Sequence, residues 1–281
     1  MKYQNPDLRD GINVSQFHPL LDFLRLLGGL AVVVAIVFAA LALLADKLAK
    51  HIPFSTELDV AVRFAGVLPA PGPATGHLQQ LAERIAAAQG LPDGMRIQVH
   101  YVDEPTVNAF ATLGGNIVVF RGLLNKMPSE NALAMVISHE IAHVKMRHPI
   151  STLGRGLAIG VALAMISAGA GGDIAGNTLG RAGLLTALTF SRSQERDADS
   201  DALRTVAKMY GHVAGADQIF RLLQNESEAR LGDAPAFLRT HPLDRERIDA
   251  IGAAAAANGW PTSGEVVLLP EELRRLDQPA Q

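Results

Sequence analysis

The spacing of hydrophobic positions changes several times along the chain. Leu26 to Ala45 reads LLGGLAVVVAIVFAALALLA, a run of 20 residues without a charge. At about 1.5 Å per helical residue this length crosses a hydrocarbon core of about 30 Å. The run predicts one anchor helix over 26–45, preceded by a polar leader, 1–25. A signal peptide fits poorly: the leader is long, the apolar core exceeds the usual stretch of about 7–15 residues, and no small-x-small site precedes Asp46. Lys2, Arg9 and Arg25 on one side nearly balance Lys47, Lys50 and Arg63 on the other, so the positive-inside rule gives no orientation. A short leader before an uncleaved anchor favours a single-pass protein of the plasma (inner) membrane with a periplasmic main domain.

Past the anchor, Ser55 to Phe64 reads as a short amphipathic helix. Gly66 to Gly76, GVLPAPGPATG, is a Pro/Gly linker. The stretch 46–77 is therefore juxtamembrane, and the main domain runs over 78–281. Leu78, Leu81 and Ile85 fall on one face of a helix ending near Gln89. The period then drops to two at Ile97, Val99 and Tyr101. A second run, Thr106 to Thr112, is separated by Gly114-Gly115 from a third, Ile117 to Phe120, which predicts a small antiparallel sheet with a tight turn. From Ser129 onward the pattern is helical almost to the end. The expected fold is therefore mainly α with a small antiparallel sheet. Leu157 to Gly172 and Ala182 to Phe190 are further apolar runs. Both are short for a span, so an insertion at about 153–190 reads as a membrane-facing hairpin or a buried helix.

Composition narrows the chemistry. The chain has no cysteine, which excludes a disulfide scaffold, a thiol nucleophile and a thiolate zinc cluster; a metal site must use His, Asp and Glu. A net charge of −3 gives no electrostatic case for nucleic acid as a partner. His139-Glu140-Ile141-Ala142-His143 is an H-E-x-x-H motif. On a helix, residues four apart share a face, so both imidazoles can hold one zinc ion while Glu140 reaches a bound water. A catalytic site needs a third protein ligand. His148 lies five residues past His143 without the intervening Gly of a metzincin, and reads as a surface residue or a partner of a ligand. Glu195 is the stronger candidate, on a second predicted helix running to about Met209. Asp199 follows one turn later, placed to bond a ligand imidazole and fix its tautomer.

Four blocks together resemble the membrane-associated zinc metallopeptidases of the HtpX, Oma and CAAX-prenyl-protease kind, which are gluzincins. They are Asn108 to Ile117 followed by Arg121-Gly-Leu-Leu; Ser138 to His143; Ser191 to Asp199; and Thr240 to Ile248. The resemblance implies one zinc ion per chain on His139, His143 and Glu195, with Glu140 as general base and Asp199 behind the metal. It implies that His241 lies near the metal, stabilising an oxyanion or gating the site, and it matches Arg247 to a family arginine. It also implies that the strand carrying Asn108, Ala109 and Phe110 receives an extended substrate. Leu113 departs from the family, which usually has Pro there. The function so implied is a membrane-anchored zinc endopeptidase of protein quality control. Its partners would be protein or peptide substrates, membrane proteins among them, and the lipid bilayer. The alternative is a zinc-containing, chaperone-like protein that holds clients with little cleavage.

Overall fold

The 20-residue apolar run lies inside a longer helix, α1 (Pro19–Ala49). Leu26, Val32, Ile36 and Leu43 are exposed on it, and none of its most apolar stretch, within Pro19–Leu41, is buried by the rest of the protein. α1 is long and apolar enough to cross a membrane, and a lipid environment would cover the side chains it leaves open. The computed structural model describes residues 19–49, 51–64, 68–156, 189–229, 235–242, 245–274 and 276. The first part of the leader (1–18) and nearly all of the apolar insertion (157–188) lie outside the described residues, as does the central part of the expected hairpin.

A short connection leads to α2 (Phe54–Phe64), matching the amphipathic stretch. α3 (Thr75–Gln89) buries Leu78, Leu81 and Ile85 and ends at Gly90, whose φ of 65° suits a residue without a Cβ. Three strands follow: β1 (Gln98–Val102), β2 (Ala109–Ala111) and β3 (Asn116–Phe120). β2 and β3 form the expected antiparallel hairpin around Leu113–Gly115. The sheet as a whole is mixed, in the order β1-β3-β2, because β1 pairs with β3 in parallel, Val99 opposite Ile117 and Tyr101 opposite Val119. Alternation identifies strands but carries no information on their direction. The chain from Asp103 to Asn108 passes β3's place, so β3 returns between the other two.

The centre of the domain is α4 (Glu130–Lys145), capped by Ser129, whose side chain accepts from the Ala132 N–H. Every residue from Asn131 to Val144 is buried. Leu133, Val136, Ile137 and Ile141 each contribute about 1.5–3 kcal/mol of apolar burial as an upper figure. α4 packs chiefly against α5 (Arg192–Tyr210), and also against α3 and β2. α5 starts at a capping box in which Ser191 and Gln194 exchange side-chain and backbone hydrogen bonds. α6 (Gln218–Ala229), α7 (Ala236–Thr240) and α8 (Arg245–Asn258) complete the described helical shell relevant to the site. The Phe237 N–H on α7 donates to the Val107 carbonyl at 3.0 Å, which seats α7 beside the edge strand β2.

Candidate metal centre and active site

α4 presents His139 and His143 one turn apart, and their Nε2 atoms approach to 3.0 Å. α5 brings Glu195 opposite them: its Oε2 is 3.4 Å from His139 Nε2 and its Oε1 is 3.5 Å from His143 Nε2. His241, just past the end of α7, places Nδ1 3.2 Å from both His139 Nε2 and Glu195 Oε1. All four side chains are buried. Four ligands at about 2.0–2.1 Å from a tetrahedral zinc ion stand about 3.3–3.4 Å from one another. The observed separations of 3.0–3.5 Å are those of such a tetrahedron's edges.

Hydrogen-bond chemistry gives the same result. His139 Nδ1 lies 2.9 Å from Asp199 Oδ1; the carboxylate favours the proton on Nδ1 and leaves the Nε2 lone pair facing inward. His143 Nδ1 is 2.8 Å from His148 Nδ1, which likewise turns Nε2 inward. Glu195 Oε2 faces Arg247 Nη1 at 2.8 Å on one side, and both carboxylate oxygens face the two imidazoles on the other. Lone pairs converging on one buried point repel unless a proton or a cation lies between them. The donor set of two imidazoles and a carboxylate suits zinc.

The electrostatics follow from this crowding. Burial disfavours charge on His139, but Asp199 and Glu195 overcome it and raise its pKa to about 10. His143 is held well below its ordinary value, by burial first and then by the charge on His139. Against the effect of burial, His241 and His139 hold the Glu195 carboxyl well below the usual range. Asp199 is also depressed despite burial, by His139 and then by Arg247. Without a metal, a proton on His139 takes the cation's place.

Glu140 faces the same pocket. Its Oε2 accepts from the Ala111 backbone N–H at 2.7 Å. Its Oε1 is buried without a hydrogen-bond partner, 3.4 Å from His241 Nε2. Burial pushes its carboxyl above the ordinary value, although the nearby imidazoles oppose this. Arg247, on α8, ties the carboxylates together: Nε and Nη2 donate to Asp199 at 2.7 and 2.8 Å, and Nη1 lies 2.8 Å from Glu195 Oε2 and donates to the Pro242 carbonyl at 2.7 Å.

His139, Glu140, His143, Glu195, Asp199, His241 and Arg247 thus lie together here. The strand does so in a shifted way: Asn108 and Phe110 are buried, the Asn108 carbonyl accepts from the Phe120 N–H, and it is Ala111 that touches Glu140. Sequence reasoning did not find Ala111, because a backbone donor leaves no residue-type signal. It also passed over Phe190, whose ring stacks on His143 with centroids 3.9 Å apart, and left His148 between two readings. His148 is buried against His143.

Residues 74–255, about two thirds of the chain, match the family described as peptidase family M48. The chain belongs to this family. It is 33% identical over 187 residues to the mitochondrial metalloendopeptidase OMA1 of Schizosaccharomyces pombe, covering 66% of this chain and 54% of that protein. It is 31% identical over 166 residues to a putative beta-barrel assembly-enhancing protease of Vibrio cholerae, covering 52% of this chain and 32% of that protein. The chain therefore spans about half the length of the first relative and about a third of the second.

Proposed function

We propose that this M48 member is a membrane-anchored zinc endopeptidase in which His139, His143 and Glu195 hold the metal and Glu140 is the general base. The observation that carries this reading is the convergence of three inward-facing ligand atoms at tetrahedral-edge spacing beside a carboxylate with one free oxygen. Zinc bound there would supply a Lewis acid and a water acidified to a pKa of about 7. Ala111 fixes Glu140 Oε2 and leaves Oε1 to take a proton and return it to the leaving amine. Asp199 holds the His139 tautomer, and Arg247 holds Asp199 and Glu195. His241 Nδ1 lies beside the ligand atoms of His139 and Glu195, and its Nε2 side, near Glu140, would donate to an oxyanion.

β2 is the outer strand of its sheet, and an extended peptide can add along its outward edge at Ala109 and at the Ala111 carbonyl, the Ala111 N–H being held by Glu140. The buried Asn108 Oδ1, without a hydrogen-bond partner among the described residues, supports a substrate contact at this strand. The apolar α1 and the similarity to a beta-barrel assembly-enhancing protease support action on membrane or envelope proteins; the role we assign is quality control, with α1 in the plasma (inner) membrane and the domain on its outer side. Elemental analysis of the gently purified full chain should give one zinc per chain. Cleavage of an unfolded membrane protein should stop on chelation and return with zinc. Purification without bound metal would sink the site, and metal binding without cleavage would leave the client-holding reading.

A further inference from the structure

The segment between the anchor and the domain makes contacts that the metal site does not use. Arg147, two residues past α4, has φ 63° and is the only described residue other than glycine with positive φ. This left-handed conformation costs a residue with a Cβ roughly 1–2 kcal/mol, and glycine usually takes such positions at helix ends. Its side chain makes three contacts, all with the juxtamembrane segment. Nη2 donates to the Ile52 carbonyl at 2.8 Å and lies 3.0 Å from Glu57 Oε2, and the guanidinium sits 5.4 Å from the centre of the Phe54 ring. Ile52 is three residues past the end of α1, a reach of at most about 10 Å.

Glu57 is almost wholly buried, at 2% exposure. Besides Arg147, its carboxylate accepts from the Gly114 N–H at 3.0 Å, in the turn between β2 and β3. Burying a charged pair is costly; this one joins α2 to the end of α4, and the Gly114 hydrogen bond joins α2 to the turn. The turn is shaped for the contact: a Cβ on Gly114 would come within 2.7 Å of the Ala61 Cβ on α2. Leu113 lies in one buried cluster with Ala61 and Ile150. The Asn116 side chain donates to the Leu113 carbonyl at 2.7 Å, and the Thr112 N–H to the Asn116 carbonyl at 2.8 Å. One residue before Thr112 is Ala111, whose N–H holds Glu140.

We propose that Glu57 and Arg147 are positioning residues that brace the juxtamembrane helix α2 against the β2–β3 turn and so fix Ala111 and, through it, Glu140. The brace joins the membrane anchor to the general base through a continuous run of contacts. It rests on the peptidase reading only for its effect on rate; its effect on the strand stands without it.

The test uses the full chain in lipid nanodiscs, comparing wild type, Glu57→Gln, Arg147→Gly, Glu140→Gln and, as a control on the exposed face of α2, Asp59→Asn. Arg147→Gly relieves the backbone strain, so a loss there is not a helix-end defect. In Glu57→Gln and Arg147→Gly, amide hydrogen exchange over 109–116 should rise about tenfold or more while the amides of α4 and α5 keep their protection. Zinc content should remain at the wild-type level. In the same variants kcat should fall about ten- to a hundredfold with KM within about threefold, because Glu140 acts after the substrate is seated. Unchanged exchange at 109–116 overturns the brace whether or not the chain cleaves peptides. Raised exchange with wild-type kcat in the folded protein overturns the positioning role. Cleavage that survives in Glu140→Gln refutes the general-base role of Glu140 instead, absence of cleavage in every variant refutes the peptidase reading, and in both cases the exchange result decides the brace.

Discussion

Replacing Arg247 with Leu removes a guanidinium that touches both Asp199 and Glu195. The residue is 5% exposed, and its contacts include two donor contacts to Asp199, an ion-pair contact to Glu195 and a hydrogen bond to the Pro242 carbonyl. Leucine keeps much of the volume and leaves two buried carboxylates short of a cation. Breaking a buried pair from one side costs about 3–5 kcal/mol. For a domain of roughly 150–250 residues each kcal/mol lowers the melting point by about 2–4 °C, so the metal-free variant should melt about 6–20 °C below the metal-free wild type. Zinc neutralises Glu195 and should narrow that gap. With Asp199 no longer clamped, the His139 tautomer is less firmly held, and zinc affinity should fall about ten- to a hundredfold. Differential scanning fluorimetry with and without chelator, together with a zinc-competition titration, measures both effects. A variant that melts within about 2 °C of wild type in both states and binds zinc equally well would refute the reasoning.

Two further perturbations follow from the geometry. In the metal-free protein the pKa of His139 rises from 6.5 to about 10, so its stabilising contribution is complete below pH 6.5 and is lost as pH rises toward 10. The melting point of chelated protein should therefore fall across that window, and zinc, which replaces the proton, should flatten the curve; a rise would contradict the assignment. Gly115→Ala would force φ 76° on a residue with a Cβ and drive that Cβ into the Arg96 carbonyl, so it should cost more than about 2 kcal/mol. Gly76→Ala on α3 meets nothing within 4 Å and should be neutral or stabilising; equal melting points for the two variants would count against the turn's geometry.

The parts of this protein legible in its sequence are those set by periodicity and residue type. The 20-residue apolar run predicts α1, and the helical pattern from Ser129 and the segment through about Met209 predict the two helices that carry the centre. His139, His143, Glu195 and Asp199 follow from one-turn spacings. His241 and Arg247 depended on the family resemblance, because nothing local shows that a segment some 100 residues away returns to the same pocket. β1 pairing in parallel with β3 depends on where the chain after Val102 travels, which alternation does not encode. Ala111 acts through its backbone, and Phe190 through a stacking contact. The Glu57–Arg147 pair hides among ordinary charged residues: one sits on an amphipathic helix, the other just past α4, where left-handed φ would normally call for glycine.

The central claim is that Glu140 transfers protons for peptide hydrolysis at a metal held by His139, His143 and Glu195. Its most direct test measures the cleavage of an unfolded membrane protein by the zinc-loaded full chain, wild type against Glu140→Gln, with zinc content determined on the same samples and the new amino termini mapped by mass spectrometry. The account predicts equal zinc in both and cleavage by the wild type alone. Equal cleavage by both would contradict it.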